Sequence, residues 1–149
     1  MLALFLSSAL TGTPSSGISI GIVIGDPTGL SLKFWGIGQN SALQVNIGGG
    51  GFFVPADLLI NGSLLFHALL TRETPINGYL GVGALAGTNR GRRSDKAVFG
   101  ILVPLGLEFI LSDVPLDIFM EVSPFIGFPT KGEPLADLTL GIGLRYILK

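Results

Sequence analysis

Gly17-Ile18-Ser19-Ile20-Gly21-Ile22-Val23-Ile24-Gly25 carries isoleucine at every even position and Gly, Ser or Val at every odd one. A period of 2 is the mark of a β-strand with unlike faces, because successive side chains leave a pleated backbone on opposite sides. The next four residues, Asp26-Pro27-Thr28-Gly29, each suit a turn. Alternation then resumes, with Leu30, Leu32 and Phe34 set against Ser31, Lys33 and Trp35. After a connection over Gly36–Asn40 it resumes again, with Leu43, Val45 and Ile47 set against Ala42, Gln44 and Asn46.

Five further stretches follow the same rule: Asp57–Leu70, Gly78–Gly87, Ala97–Leu111, Pro115–Phe128 and Ala136–Leu148. Their apolar positions include Ile60, Phe66, Leu80, Val82, Phe99 and Ile101, then Leu107, Ile118, Met120, Leu140, Ile142 and Leu144. Opposite them stand Asn61, Ser63, His67, Tyr79, Gly81 and Gly83, then Gly106, Glu108, Asp117, Glu121, Gly143 and Arg145. The pattern predicts eight strands in all, each joined to the next by a short connection.

Composition narrows the setting. The chain has 149 residues, a length suited to one domain. Hydrophobic residues make up 48% and charged residues 13%, the latter about half the usual ~25%. A disordered chain needs the opposite balance. The absence of cysteine excludes a disulfide-stapled mini-protein. A net charge of −1 gives no basic footprint for nucleic acid. Nor does any stretch read as a membrane helix. The charge-free run Phe34–Ala56 is broken by Gly36, Gly38, Gly48, Gly49, Gly50, Gly51 and Pro55, and Leu58–Leu70 is too short and carries Asn61 and His67.

A chain this apolar, with no helix to place in a bilayer, points to strands that cross it. The apolar face has no charge at strand centres, whereas the Gly/polar face could not line a packed hydrocarbon core. The expectation is therefore an all-β fold, an eight-stranded antiparallel up-and-down transmembrane β-barrel over residues 17–149. Its apolar face would meet the lipid bilayer and its polar face a narrow lumen. Backbone groups in lipid must pair internally, so the last strand should close against the first. A soluble ligand-binding barrel is the competing reading. Residues 1–16, with the apolar block Leu2–Leu6 followed by small residues, read either as the tail of a signal peptide or as a frayed terminus.

The layout resembles the small eight-stranded outer-membrane barrels of Gram-negative bacteria. Gly21-Ile-Val-Ile-Gly25-Asp-Pro-Thr-Gly-Leu-Ser-Leu-Lys33-Phe-Trp35 and the closing Gly141-Ile-Gly-Leu-Arg-Tyr146 are similar to segments of an uncharacterised family of such proteins. The resemblance spans the chain from Gly17 onward and rests on structural motifs, so it implies no catalytic chemistry. It implies a porin-like monomer in the bacterial outer membrane, placed there by the outer-membrane insertion machinery. In that class the last strand commonly ends in an aromatic residue, and here the ending is Tyr146-Ile-Leu-Lys149, a departure from the pattern.

Counting strands places the charges. The connections Gly25–Gly29, Gly48–Pro55, Thr88–Lys96 and Pro129–Pro134 should share one rim. Those at Gly36–Asn40, Thr71–Asn77 and Ser112–Val114 should share the other rim with both termini, the periplasmic side in this class. On this map Lys33, Glu108, Asp117, Glu121 and Arg145 point inward near the periplasmic rim. They form either an interior salt-bridge network or a polar path for protons. An eight-stranded lumen is just wide enough for side chains to fill, so no open pore is expected. Removal of Arg145 alone is expected to cost more than removal together with Glu121→Gln, because it strands a buried carboxylate.

The basic cluster Arg90, Arg92, Arg93 and Lys96 lies at the outer rim, either as a solvated tip or as a contact for the phosphates of lipopolysaccharide. His67 is the sole histidine, with Ser63 four residues away, and reads as an interior histidine rather than a catalyst. No enzyme, cofactor or metal site is expected, and Gly48–Gly51 lacks the Lys and Ser/Thr of a phosphate-binding loop. Pro104 and Pro124 cannot donate to a ladder, so a bulge or lateral opening is expected between the sixth and seventh strands. The expected role is structural or surface-interacting. The alternative is a barrel that binds or modifies an apolar or lipid ligand through the lumen or that weakened ladder.

Overall fold

The computed structural model describes residues 14–50, 57–71, 73, 76–91, 94–111, 113–130 and 132–148. The alternating stretches become β1 (Gly17–Gly25), β2 (Thr28–Gly38), β3 (Ser41–Gly49), β4 (Leu58–Leu69) and β5 (Ile76–Gly91). They continue with β6 (Ser94–Leu102), β7 (Leu105–Ile110), β8 (Leu116–Pro129) and β9 (Leu135–Leu148). All pairings are antiparallel, and sequence neighbours are neighbours in space. β9 returns to pair with β1 from Ile18↔Leu148 to Gly25↔Gly141, so the sheet closes on itself. Closure removes the free edges on which a strand would template aggregation.

β6 and β7 occupy one position in this ring, since both pair with β5 on one side and with β8 on the other. The fold is thus an all-β, antiparallel, up-and-down sheet with a ring of eight strands. The interruption is at Val103-Pro104, where proline has no N–H to offer Gly81. Val103 N–H donates to the Pro124 carbonyl at 3.0 Å and Gly81 N–H to the Pro104 carbonyl at 2.8 Å. The reciprocal bonds would need the missing N–H groups of Pro124 and Pro104. The expected bulge is not there: Leu102↔Phe125 and Leu105↔Val122 continue one unbroken register. A bulge lies instead in β2, between Trp35 and Gly38, where Gly36 takes a φ of 84° that favours glycine.

A second departure from expectation concerns Thr88–Lys96. The ladder continues through Asn89↔Lys96 and Arg90↔Asp95 to Gly91↔Ser94. β4 leaves β5 at Thr88 and β8 leaves β6 at Val98, so this hairpin extends past its neighbours. Alternation had faded there into a polar run, and side-chain pattern alone does not record where backbone pairing stops.

The two faces of the ring differ sharply. Ile18, Ile22, Leu30, Phe66, Leu80, Phe99, Ile126 and Ile142 point outward and are exposed. Ser19, Ser31, Gln44, Asn61, Ser63, His67, Thr139 and the charges Lys33, Glu108, Asp117 and Arg145 point inward and are buried. The interior has two levels. Towards the rim that carries the ends of β2, β4, β7 and β9 it is polar and charged. Towards the opposite rim Leu59, Leu85, Leu102 and Phe125 form a small apolar cluster with Val98 packed against it. This apolar cluster was not singled out from sequence. Each of its members sits at an inward position of its strand, so parity, not polarity, decides where it points.

Candidate functional site

Four of the five interior charges come together in one buried cluster. Arg145 on β9 is the hub. Its Nε donates to Asp117 Oδ2 at 2.7 Å and its Nη2 to Glu108 Oε1 at 3.0 Å. Its Nη1 reaches Gln44 Oε1 at 2.7 Å and Ser31 Oγ at 3.3 Å. Lys33 on β2 donates to the same Glu108 Oε1. Lys33, Glu108, Asp117 and Arg145 each have 0% of their surface exposed. Two cations and two carboxylates balance, which is the condition under which charges survive burial.

Both cations also lie on aromatic faces. Lys33 Nζ stands 3.9 Å from the centre of the Trp35 ring, and Arg145 Cζ stands 3.9 Å from that of Phe119. Such stacking adds attraction in a desolvated site. The Trp35 indole N–H donates to Ser19 Oγ at 2.8 Å, which fixes the ring beneath the ammonium.

Glu121, the fifth charge, does not touch either cation. Its Oε2 accepts from Gln44 Nε2 and from the Tyr79 hydroxyl, both at 2.9 Å, and its Oε1 accepts from Ser123 Oγ at 3.0 Å. Gln44 therefore joins the two groups, accepting from Arg145 and donating to Glu121. The expected Arg145–Glu121 pairing is corrected on this point: the carboxylates stranded by loss of Arg145 are Asp117 and Glu108. Spacing along the strands put all five residues on one face but could not say which would meet across the interior.

His67 lies beside the cluster. Lys33 Nζ is 2.8 Å from its Nε2, and its Nδ1 is 3.2 Å from the Asn40 carbonyl. With Nε2 accepting from the ammonium, Nδ1 carries the hydrogen and donates to Asn40. Its ring packs between Trp35 and Tyr79, with centroids 5.0 and 5.4 Å away. Both nitrogens are occupied, so the ring has none left for a substrate. Ser63 is buried on the same face but makes no hydrogen bond among the described residues. No group of three or more His, Cys, Asp or Glu that could hold a metal occurs among the described residues.

Gln44, Ser31, Tyr79, Ser123 and the two aromatic platforms were not singled out from sequence. Their inward parity was the available signal. Two glycines make room for the aromatics. Tyr79 pairs directly with Gly106, and Phe119 with Gly143. A Cβ at Gly106 would collide with the Tyr79 ring, and one at Gly143 with the Phe119 ring. Each aromatic ring thus lies flat over a neighbouring backbone that has no side chain.

Of the basic cluster, Arg90 and Lys96 lie in the β5–β6 ladder opposite Asp95 and Asn89. Arg92 and Arg93 lie outside the described residues, as does most of segment 1–16. No family model matches the chain, and neither a curated protein nor a solved structure is detectably similar to it.

Proposed function

We propose that the chain is an integral outer-membrane β-barrel with a filled lumen, a monomer with a structural or surface-interaction role and no open pore. The observation that carries this reading is the outward face. Large apolar side chains are exposed on every strand of the ring, from Ile22 at 55% and Ile101 at 59% to Ile142 at 60%. A water-soluble monomer rarely exposes a contiguous apolar patch beyond a few hundred Å². A single protein partner would cover one side of the ring, whereas a bilayer covers all of it.

The interior supports the second half of the reading. The charge cluster fills one level and the Leu59–Leu85–Leu102–Phe125 cluster the other. A continuous water path would have to pass both. The same obstacle weighs against the alternative in which a lipid ligand uses the lumen, and against a proton path from rim to rim. Insertion machinery and, through Arg90, Arg92, Arg93 and Lys96, lipopolysaccharide phosphates are the partners that this placement suggests.

Electrophoresis in mild detergent tests the proposal. Unboiled protein should run as a compact species that shifts on boiling, because a closed ring resists the detergent until heated. A single mobility before and after boiling, with protein that stays monomeric in detergent-free buffer, contradicts it.

A further inference from the structure

We infer that Glu108 and Asp117 share one proton in the folded chain, which makes the pair a buried proton-binding site inside the ring. The site belongs to the interior alone and stands whatever covers the outer face.

The two acids are neighbours by register. Glu108 pairs with Phe119 and Ile110 with Asp117, so the acids take diagonal inward positions on β7 and β8. Their side chains lie within hydrogen-bond reach of each other. Arg145 holds one oxygen of each, Asp117 Oδ2 through Nε and Glu108 Oε1 through Nη2. Lys33 donates to that same Glu108 Oε1. The donors thus crowd onto two oxygens. The other two, Glu108 Oε2 and Asp117 Oδ1, are buried and have no donor among the described residues.

An ionised carboxylate only accepts, so two of them in contact cannot satisfy each other. Both residues are fully buried, where an oxygen left without a donor keeps the whole cost of its desolvation. Two carboxylates that share such a site do not both stay ionised. One proton removes both penalties. It supplies the missing donor and leaves the pair a single negative charge.

The surrounding strands offer no other donor. From β4, His67 Nε2 is 3.4 Å from Glu108 Oε2, but it faces Lys33 Nζ at 2.8 Å and accepts from it. From β5 and β3, the Tyr79 hydroxyl and the Gln44 amide donate to Glu121. From β1, Gly21 stands opposite Arg145 and has no side chain. The charge count agrees. Gln44 ties Glu121 to the cluster, so three carboxylates face two cations, Lys33 and Arg145. With His67 neutral, one proton brings the sum to zero. It belongs to the Glu108–Asp117 pair because both oxygens of Glu121 already have donors. The proton is taken from water as the interior closes and is then held there.

Infrared absorption tests the site. The chain is folded at neutral pH in dodecylmaltoside, a detergent with no carbonyl group. A protonated carboxyl has a C=O stretch apart from the amide and carboxylate bands, and it shifts when the chain is folded in D2O. The wild type should show one such band. Asp117→Asn and Glu108→Gln should each abolish it, since the new amide brings its own N–H donor to the remaining carboxylate. Glu133→Gln, at an exposed acid, should leave it unchanged. Each variant must keep the β-sheet circular dichroism of the wild type; should one fail to fold, the other carries the comparison. Folded wild type with no band overturns the inference, and so does a band that persists in folded Asp117→Asn or Glu108→Gln. A band lost in Glu121→Gln but kept in Asp117→Asn would put the proton on Glu121 and overturn it equally.

Discussion

Arg145 is the residue on which most of the interior depends. It contacts Asp117, Glu108, Gln44 and Ser31 at once and lies over Phe119. Arg145→Ala should therefore cost about 3–5 kcal/mol, most of it the penalty for carboxylates left buried without a partner. Adding Asp117→Asn should recover part of that loss, whereas adding Glu121→Gln should recover little, since Glu121 keeps Gln44, Tyr79 and Ser123 as donors. Urea midpoints of the detergent-folded variants check the order. A recovery with Glu121→Gln equal to that with Asp117→Asn would contradict the assignment of partners. Gly143→Ala tests the packing around the same hub. Its added Cβ would meet the Phe119 ring and the Ile22 carbonyl oxygen, the latter at 2.6 Å. A loss of about 1–3 kcal/mol is expected from this overpacking, read as a lower temperature for the electrophoretic shift. An unchanged transition would mean that the Phe119 ring does not rest on that backbone.

At the scale of elements, the column formed by β6 and β7 is the weakest part of the ring. Residues 103 and 104 are held by one hydrogen bond on each side because Pro104 and Pro124 have no N–H. Hydrogen exchange should show the amides of Gly81 and Val103 opening before those of Ile22 and Leu144 at the β1–β9 closure. Earlier exchange at the closure would contradict this ranking. Much of the element scale was legible from alternation alone. Period 2 located the eight positions of the ring, because the same side-chain parity that forms a two-faced strand forms a two-faced sheet, whereas the closure of the last strand on the first was expected from backbone pairing. Three things were not legible. The prolines lowered the hydrogen-bond count without shifting register, and backbone bonding leaves no trace in side-chain polarity. The bulge at Gly36–Ile37 looked like part of a connection. The long β5–β6 hairpin continued where alternation had already lapsed. In the site, the sequence placed the five charges on one face, but contacts such as Arg145–Gln44–Glu121 depend on how far side chains reach across the interior, and strand spacing does not carry that.

The whole molecule, on the proposed function, joins an apolar exterior to a filled interior. Reconstituted protein should give no unitary ion conductance in a planar bilayer, because on the proposed reading the charge cluster fills one level of the lumen and the Leu59–Leu85–Leu102–Phe125 cluster the other. Stable channels of the intact chain would contradict the filled lumen. The central claim is that the outward face meets lipid, and tryptophan quenching tests it most directly. Trp35 is buried inside the ring, whereas Phe99 is outward and 58% exposed. In vesicles containing phospholipid brominated on its chains, Phe99→Trp in a Trp35→Phe background should be strongly quenched, and native Trp35 far less. Quenching of the Phe99→Trp fluorescence by aqueous iodide, with none from the brominated chains, would contradict the account.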